Sequence, residues 1–278
     1  MKKSYFLPIL FFVLSASFCA AQESFSVWPD RAPGEKEGTK APVFELWKPE
    51  VKKSDSCLIV CPGGAYMGLA YDHEGKKIAN YFNEKGRTVV ILKYRVPRRA
   101  GLPKYLPAWQ DAQRTVRMVR SHAKEWGIDP EKIGIMGFSA GGHLTLMTST
   151  TSQSKSYDPI DDLDKISPYV NFAVPVYPAY VLEDGKDGGN SGKGNNSKMV
   201  PDFAFDTKTP PMCLIHGDND PYSPMGSATI YHKLRTMNIP AELHIYAKVG
   251  HGFGANPKDE HLGDWLNRVY AWMNFMGF

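Results

Sequence analysis

Cysteine is scarce in this chain, with four among 278 residues. Cys19 lies in an apolar N-terminal segment, which leaves Cys57, Cys61 and Cys213. Three is an odd number, and no pair has the C-x-x-C spacing of a metal or redox site, so a disulfide framework is not expected. Cys57 and Cys61 share one apolar run and, in a strand, would lie about 13 Å apart, too far to bridge. All three read as small buried hydrophobes. Charge of one sign is also lacking: 33 Lys and Arg against 29 Asp and Glu leave a net +4. Arg95, Arg98 and Arg99 form the only local basic group, so nucleic acid is not an expected partner. Beyond the N-terminal segment, no apolar run is long enough to cross a membrane.

Two further absences narrow the chemistry. Glu45, Glu74 and Glu183 stand in no motif that pairs them, whereas glycoside cleavage needs two carboxylates across the bond. Asp72 with His73, and Asp259 with His261, lack further donors at ligand spacing, so neither a metal nor a cofactor is expected.

What is present begins with a leader. Met1-Lys2-Lys3 is a positive start, Phe6 to Phe18 is mostly apolar, and Ala20-Ala21 supplies small residues. That layout predicts a secretory signal peptide over 1–21, cleaved after Ala21, and a secreted or periplasmic product. Phe18 is bulky where a lipobox before Cys19 wants a small residue, so a soluble product is expected. Residues 22–278 then suit a single domain.

Along that domain, short apolar runs alternate with helical patterns. Cys57–Cys61, Thr88–Tyr94, Lys132–Phe138, Asn171–Tyr177, Met212–His216 and Glu242–Tyr246 read as buried strands. Helical spacing occupies Ile78–Phe82, Pro107–Trp126, Ala140–Thr150, Pro224–Met237 and Leu262–Phe275. Unbroken apolar strands separated by helices predict a mostly parallel central sheet covered on both faces, an α/β fold. Gln22 to Pro49 reads as an arm with one or two edge strands. Residues 185–198, rich in Gly, Asn, Ser and Lys, read as a flexible surface insertion.

Four motifs carry chemistry. Gly137-Phe138-Ser139-Ala140-Gly141 is a G-x-S-x-G sequence that follows a strand and opens a helix, the setting in which a sharp turn projects a nucleophilic serine. Cys61-Pro62-Gly63-Gly64-Ala65-Tyr66 follows the first core strand. Its Gly64 and Ala65 N–H groups, with that of Ala140, form the expected oxyanion hole. His216-Gly217-Asp218-Asn219-Asp220-Pro221 supplies an acid after a late strand. Asp220 and Asp218 both qualify; Asp220 is favoured by its position before Pro221, and Asp218 suits a turn cap. Gly250-His251-Gly252 places a histidine among glycines after the last strand. Ser139, Asp220 and His251 occur in the chain order of an α/β-hydrolase triad. His143 and His216 read as packed or hydrogen-bonded rather than catalytic. Among the aromatics, only Tyr66, next to the oxyanion turn, is expected to meet substrate.

The stretches Cys61–Gly75, Asp111–Leu144 and Pro240–Gly254 resemble one family, and the likeness runs from Val27-Trp28-Pro29 to the terminal helix. It is the family of bacterial carbohydrate esterases related to acetyl xylan and feruloyl esterases, often labelled xylanase or lipase/esterase-like. The resemblance implies the α/β-hydrolase fold, removal of acyl groups, most often O-acetyl, from xylan or pectin, and a triad of Ser139, Asp220 and His251. Two features depart from the pattern: Ala65 stands where many relatives carry a third glycine, and residues 185–198 replace a more ordered cap. Rival readings are a serine peptidase or general carboxylesterase on the same fold, and an inactive sugar-binding homologue.

Overall fold

The computed structural model describes residues 22–36, 39, 41–183, 198–256 and 260–278. The leader read at 1–21 lies outside the described residues, as does the insertion read at 185–198 apart from Lys198.

Among the described residues, eight strands form one sheet: β1 (Gln22–Ser26), β2 (Val43–Trp47), β3 (Cys57–Cys61), β4 (Thr88–Lys93), β5 (Ile133–Phe138), β6 (Phe172–Val176), β7 (Met212–Gly217) and β8 (Ala241–Tyr246). Their spatial order is β1-β2-β4-β3-β5-β6-β7-β8. The first two strands run antiparallel at one edge, and β4 through β8 are mutually parallel in the order of the sheet. Parallel strands bury both faces, which is why β3, β5, β6 and β7 are buried at every position and read as continuous apolar runs.

Strand alternation sorts the core into two layers. Cys57, Ile59 and Cys61 face one apolar cluster, with α2 (Leu106–Ser121), α3 (Ala123–Trp126), α4 (Ala140–Thr150) and α5 (Met225–Thr236) contributing to it. Leu58 and Val60 face the other, built with α1 (Lys77–Glu84) and α6 (Trp265–Phe275). This is the expected α/β-hydrolase arrangement, with helices on both faces of a mostly parallel sheet.

One expected helix is interrupted. Pro107–Trp126 reads as continuous, yet α2 ends at Ser121, and α3 resumes after His122 at φ −91°, ψ 5°. The His122 ring stacks on Trp126 at 4.8 Å, a side-chain contact that apolar periodicity does not record. The remaining expected helices and strands lie within a few residues of their expected bounds. Cys57, Cys61 and Cys213 are free and buried, as their apolar settings predict. Among the described residues, no helix is long and apolar enough to cross a membrane.

Candidate active site

The parallel strands end on a common edge, and the chemistry-bearing loops leave from there. Ser139 follows β5 and precedes α4, with φ 53° and ψ −116°. A non-glycine residue at positive φ is strained and persists where its surroundings hold it. Here Ser139 N–H donates to the Val176 carbonyl at 3.1 Å, while its own carbonyl accepts from His143 and Ala179 at 2.9 and 3.1 Å. Close packing demands glycine nearby: a Cβ at Gly141 would lie 2.0 Å from the Cys61 carbonyl oxygen. The strand, the turn and the helix thereby lift the half-buried Ser139 hydroxyl to the strand ends.

His251 meets that hydroxyl. Its Nε2 lies 2.8 Å from Ser139 Oγ, and its Nδ1 lies 2.7 Å from Asp220 Oδ2. Asp220 is 5% exposed, and its other oxygen accepts the N–H of Tyr222 at 2.7 Å. Asp218 is exposed, and its N–H closes the strand end on the Tyr246 carbonyl. The structure therefore brings Asp220, and not Asp218, to the histidine. The imidazole lies between two aromatic rings, Tyr177 and Tyr222, each with its centroid 4.9 Å away.

Two further histidines near the site, His143 and His216, are held neutral. His143 is fully enclosed, and burial, with the Lys104 charge acting the same way, pushes its pKa down to about 3. Its Nδ1 bonds the Tyr66 hydroxyl at 2.9 Å. His216 is pushed down to about 4 by burial, which outweighs the nearby Asp220 carboxylate. It bonds Ser227 Oγ and the Tyr222 carbonyl, both at 2.8 Å. Both are packed and hydrogen-bonded, as expected.

The turn expected to supply the oxyanion hole lies against Ser139, so that a Cβ at Gly63 would be 3.0 Å from Ser139 Cβ. Gly64 has φ 133°, and Ala65 and Tyr66 have φ 56° and 57°. Among the described residues, the N–H groups of Gly64, Ala65 and Ala140 have no hydrogen-bond acceptor, which leaves them available to an incoming oxygen. The expectation for Tyr66 is corrected: it is 1% exposed, and its hydroxyl is taken by His143. Two consecutive left-handed residues turn its side chain into the core, so its ring offers no face to a sugar.

A cavity of about 440 Å³ opens beside His251 and includes His73, Lys248, Phe253 and Asn256 in its wall. A larger one, about 610 Å³, lies among Lys52, Lys53, Lys85, Arg87 and Lys132, at the opposite strand ends, and contains none of the triad. Metal-type donors gather at Cys213, Glu242 and His244, with ligand atoms within 4.8 Å of one another. They lie on β7 and β8, away from Ser139, and burial pushes the Cys213 thiol up, favouring its protonated, weakly coordinating form.

Three residues of the site were not singled out for it by their sequence context. Tyr222 follows Asp220 by two positions in a turn, Tyr177 ends a buried strand, and Glu74 precedes a helix. Glu74 is 3% exposed and touches both the oxyanion turn and Tyr177. Within the sequence, the only cue is its place on the same segment, eleven residues after Gly63.

Residues 44–184, just over half of the chain, match the family described as BD-FAE. An acetylxylan esterase of Xylanibacter ruminicola is 29% identical over 242 residues, covering 78% of this chain and 46% of that protein. Endo-1,4-beta-xylanase B of Butyrivibrio fibrisolvens is 26% identical over 241 residues, covering 81% and 36% respectively. The chain thus spans less than half the length of these relatives. Among solved structures, an acetyl ester-xyloside bifunctional hydrolase from Caldicellulosiruptor lactoaceticus superposes with a TM-score of 0.77 at 26% identity, over 92% of this chain and 97% of that one. Esterase 2 of Thermogutta terrifontis, phosphorylated by paraoxon, shares the fold at a TM-score of 0.72 and 22% identity, over 92% and 95%.

Proposed function

Because this chain belongs to the BD-FAE family, we propose that it is a serine esterase that removes acyl groups, foremost O-acetyl, from plant polysaccharides such as xylan or pectin. The observation that carries the reading is the continuous hydrogen-bond chain from Ser139 through His251 to Asp220. In this reading His251 Nε2 takes the proton of Ser139 as Oγ attacks the ester carbonyl. Asp220 accepts from Nδ1–H, holding the tautomer that leaves Nε2 free and stabilising the imidazolium that forms. The N–H groups of Gly64, Ala65 and Ala140 receive the developing oxyanion, aided by the N-terminus of α4. His251 then protonates the leaving sugar oxygen, and water, activated by the same nitrogen, releases the acid from the acyl-enzyme.

The carbohydrate part of the proposal is supported by the names of the relatives, an acetylxylan esterase and an acetyl ester-xyloside hydrolase. The leader read in residues 1–21 supports action outside the cytoplasm, where such polymers are met. Glycoside cleavage has a weaker basis. The two buried carboxylates of the site are already committed: Glu74 has both oxygens engaged by Gly63 and Tyr177, and Asp220 has both engaged by His251 and Tyr222.

The test is hydrolysis of p-nitrophenyl acetate by the wild type and Ser139→Ala, followed by acetate release from acetylated xylan, acetylated pectin and feruloylated xylan. Loss of turnover in the variant, with acetate released from at least one acetylated polymer, is the expected result. Shortened xylan chains without acetate release would overturn the proposal.

A further inference from the structure

A buried carboxylate lies between the two loops that serve Ser139. Glu74 belongs to a π-helical turn, Asp72–Lys76, which leads into α1. Such turns are rare and recur at functional sites. Glu74 Oε2 accepts the N–H of Gly63, the residue that opens the oxyanion turn, at 2.7 Å. Oε1 accepts the phenol of Tyr177 at 2.8 Å. The Tyr177 oxygen in turn accepts the N–H of Gly254, on the loop that carries His251, at 2.9 Å. One residue upstream, the His73 carbonyl accepts the N–H of Ala255 at 2.8 Å, so the same turn grips that loop twice.

Space and charge give this arrangement its force. A Cβ at Gly63 would lie 2.7 Å from Glu74 Oε2, 2.7 Å from the Phe138 carbonyl oxygen and 3.0 Å from Ser139 Cβ. Carboxylate, turn and nucleophile are therefore stacked with no room for adjustment. Among the described residues, no lysine or arginine pairs with Glu74; the titratable groups that face it are Tyr177, His73, whose Nε2 is 3.8 Å from Oε1, and the buried Tyr94, whose phenol the Glu74 charge helps to hold protonated. Burial, and then the Glu74 charge, push Tyr177 well above its usual pKa, so its phenol keeps the proton that it donates. A buried acid with no lysine or arginine beside it is costly and is tolerated where hydrogen bonds satisfy it. These bonds run to both loops that the proposed reaction needs.

We infer that Glu74 is a positioning residue that sets the oxyanion turn and the histidine loop in register with Ser139, one through each carboxylate oxygen. The inference rests on the esterase reading above. It predicts that the two loops are energetically coupled although neither touches the other through this link except by way of Glu74 and Tyr177.

Glu74→Gln isolates the idea because the amide cannot satisfy both sides. With its oxygen on Gly63, its NH₂ faces a phenol that must then find another acceptor; reversed, the NH₂ meets the Gly63 N–H donor to donor. Tyr177→Phe removes the histidine-loop half alone and leaves the Gly63 bond intact. Steady-state hydrolysis of p-nitrophenyl acetate, its pH profile and thermal melting are measured for the wild type, both single variants and the double variant.

A shift of the order of an ångström in such a site costs about a hundredfold in rate. Glu74→Gln is accordingly expected to lower kcat roughly ten- to a hundredfold, with KM changed by less than about twofold. Tyr177→Phe should cost less and shift the acidic limb of the kcat/KM profile, which reports the histidine. The double variant should match Glu74→Gln rather than the product of the two losses. A folded Glu74→Gln with kcat within about twofold of wild type, or losses that simply multiply, would overturn the inference. If Glu74→Gln does not fold, Tyr177→Phe decides alone: an unchanged kcat and pH profile sinks the proposal. An inactive wild type would instead defeat the esterase reading, so the two failures are told apart.

Discussion

Asp218 and Asp220 stand two positions apart in one turn and meet different fates. Asp220 is buried, with one oxygen on His251 and the other on the Tyr222 N–H. Asp218 points into solvent. Replacing Asp220 by Asn preserves shape but offers His251 Nδ1 a donor or a weaker acceptor, which favours the wrong tautomer. In serine hydrolases that substitution costs about 10⁴ in kcat. Asp220→Asn is thus expected to lower turnover of p-nitrophenyl acetate by roughly 10³- to 10⁴-fold, and Asp218→Asn to leave it within about threefold. A larger loss in the Asp218 variant would reverse the assignment. The Ser139, Asp220 and His251 arrangement was legible in the sequence because each residue sits in a turn after an apolar strand, with glycines flanking Ser139 and His251 and an Asp-Asn-Asp-Pro turn carrying Asp220. Tyr66 was misread for an equally local reason. Its neighbours announce the oxyanion turn, but only the left-handed backbone at Ala65 and Tyr66 decides that the ring points inward.

At the level of elements, strands were read more faithfully than helix ends or polar anchors. A parallel strand buried on both faces writes its whole length as apolar residues, whereas the break at His122 depends on one ring stacking on Trp126. Buried charges leave still less trace. Asp111, on α2, is 0% exposed, and it accepts from Trp28 Nε1 at 2.8 Å, from Arg95 N–H at 2.8 Å and from Arg95 Nε at 2.9 Å. It thereby pins α2 to the segments that follow β1 and β4. Burial pushes its carboxyl up, and Arg95 is the main counterweight. Removing one partner of a buried pair strands the other, at a cost of about 3–5 kcal/mol. Arg95→Met is expected to lower unfolding free energy by about that amount in urea titration. A loss under about 1 kcal/mol would show that Trp28 and the backbone suffice to hold the acid.

For the molecule as a whole, the two enclosed histidines couple stability to pH. His143 and His216 are neutral when folded, with pKa values pushed down to about 3 and about 4 by burial. In the unfolded chain each titrates near ~6.5. Between these values the unfolded state binds more protons, so stability rises with pH and is lost as pH falls. Melting temperature is therefore expected to hold steady above about pH 7, to fall from about pH 6.5 towards 4, and to fall less steeply in His143→Gln. An equal slope in that variant would assign the loss to other groups.

The same depth of burial gives the sheet a built-in chemical reporter. Burial raises the thiols of Cys57, Cys61 and Cys213, that of Cys57 to about 12, and only the thiolate reacts with disulfide or maleimide reagents. Folded molecules are thus silent at these positions, and each labelling event records an opening of the strand that carries the sulfur. Two of the sulfurs sit on β3 at the middle of the sheet, the third on β7 next to its far edge strand. Their relative labelling rates distinguish a sheet that peels from its β8 side from one that comes apart all at once.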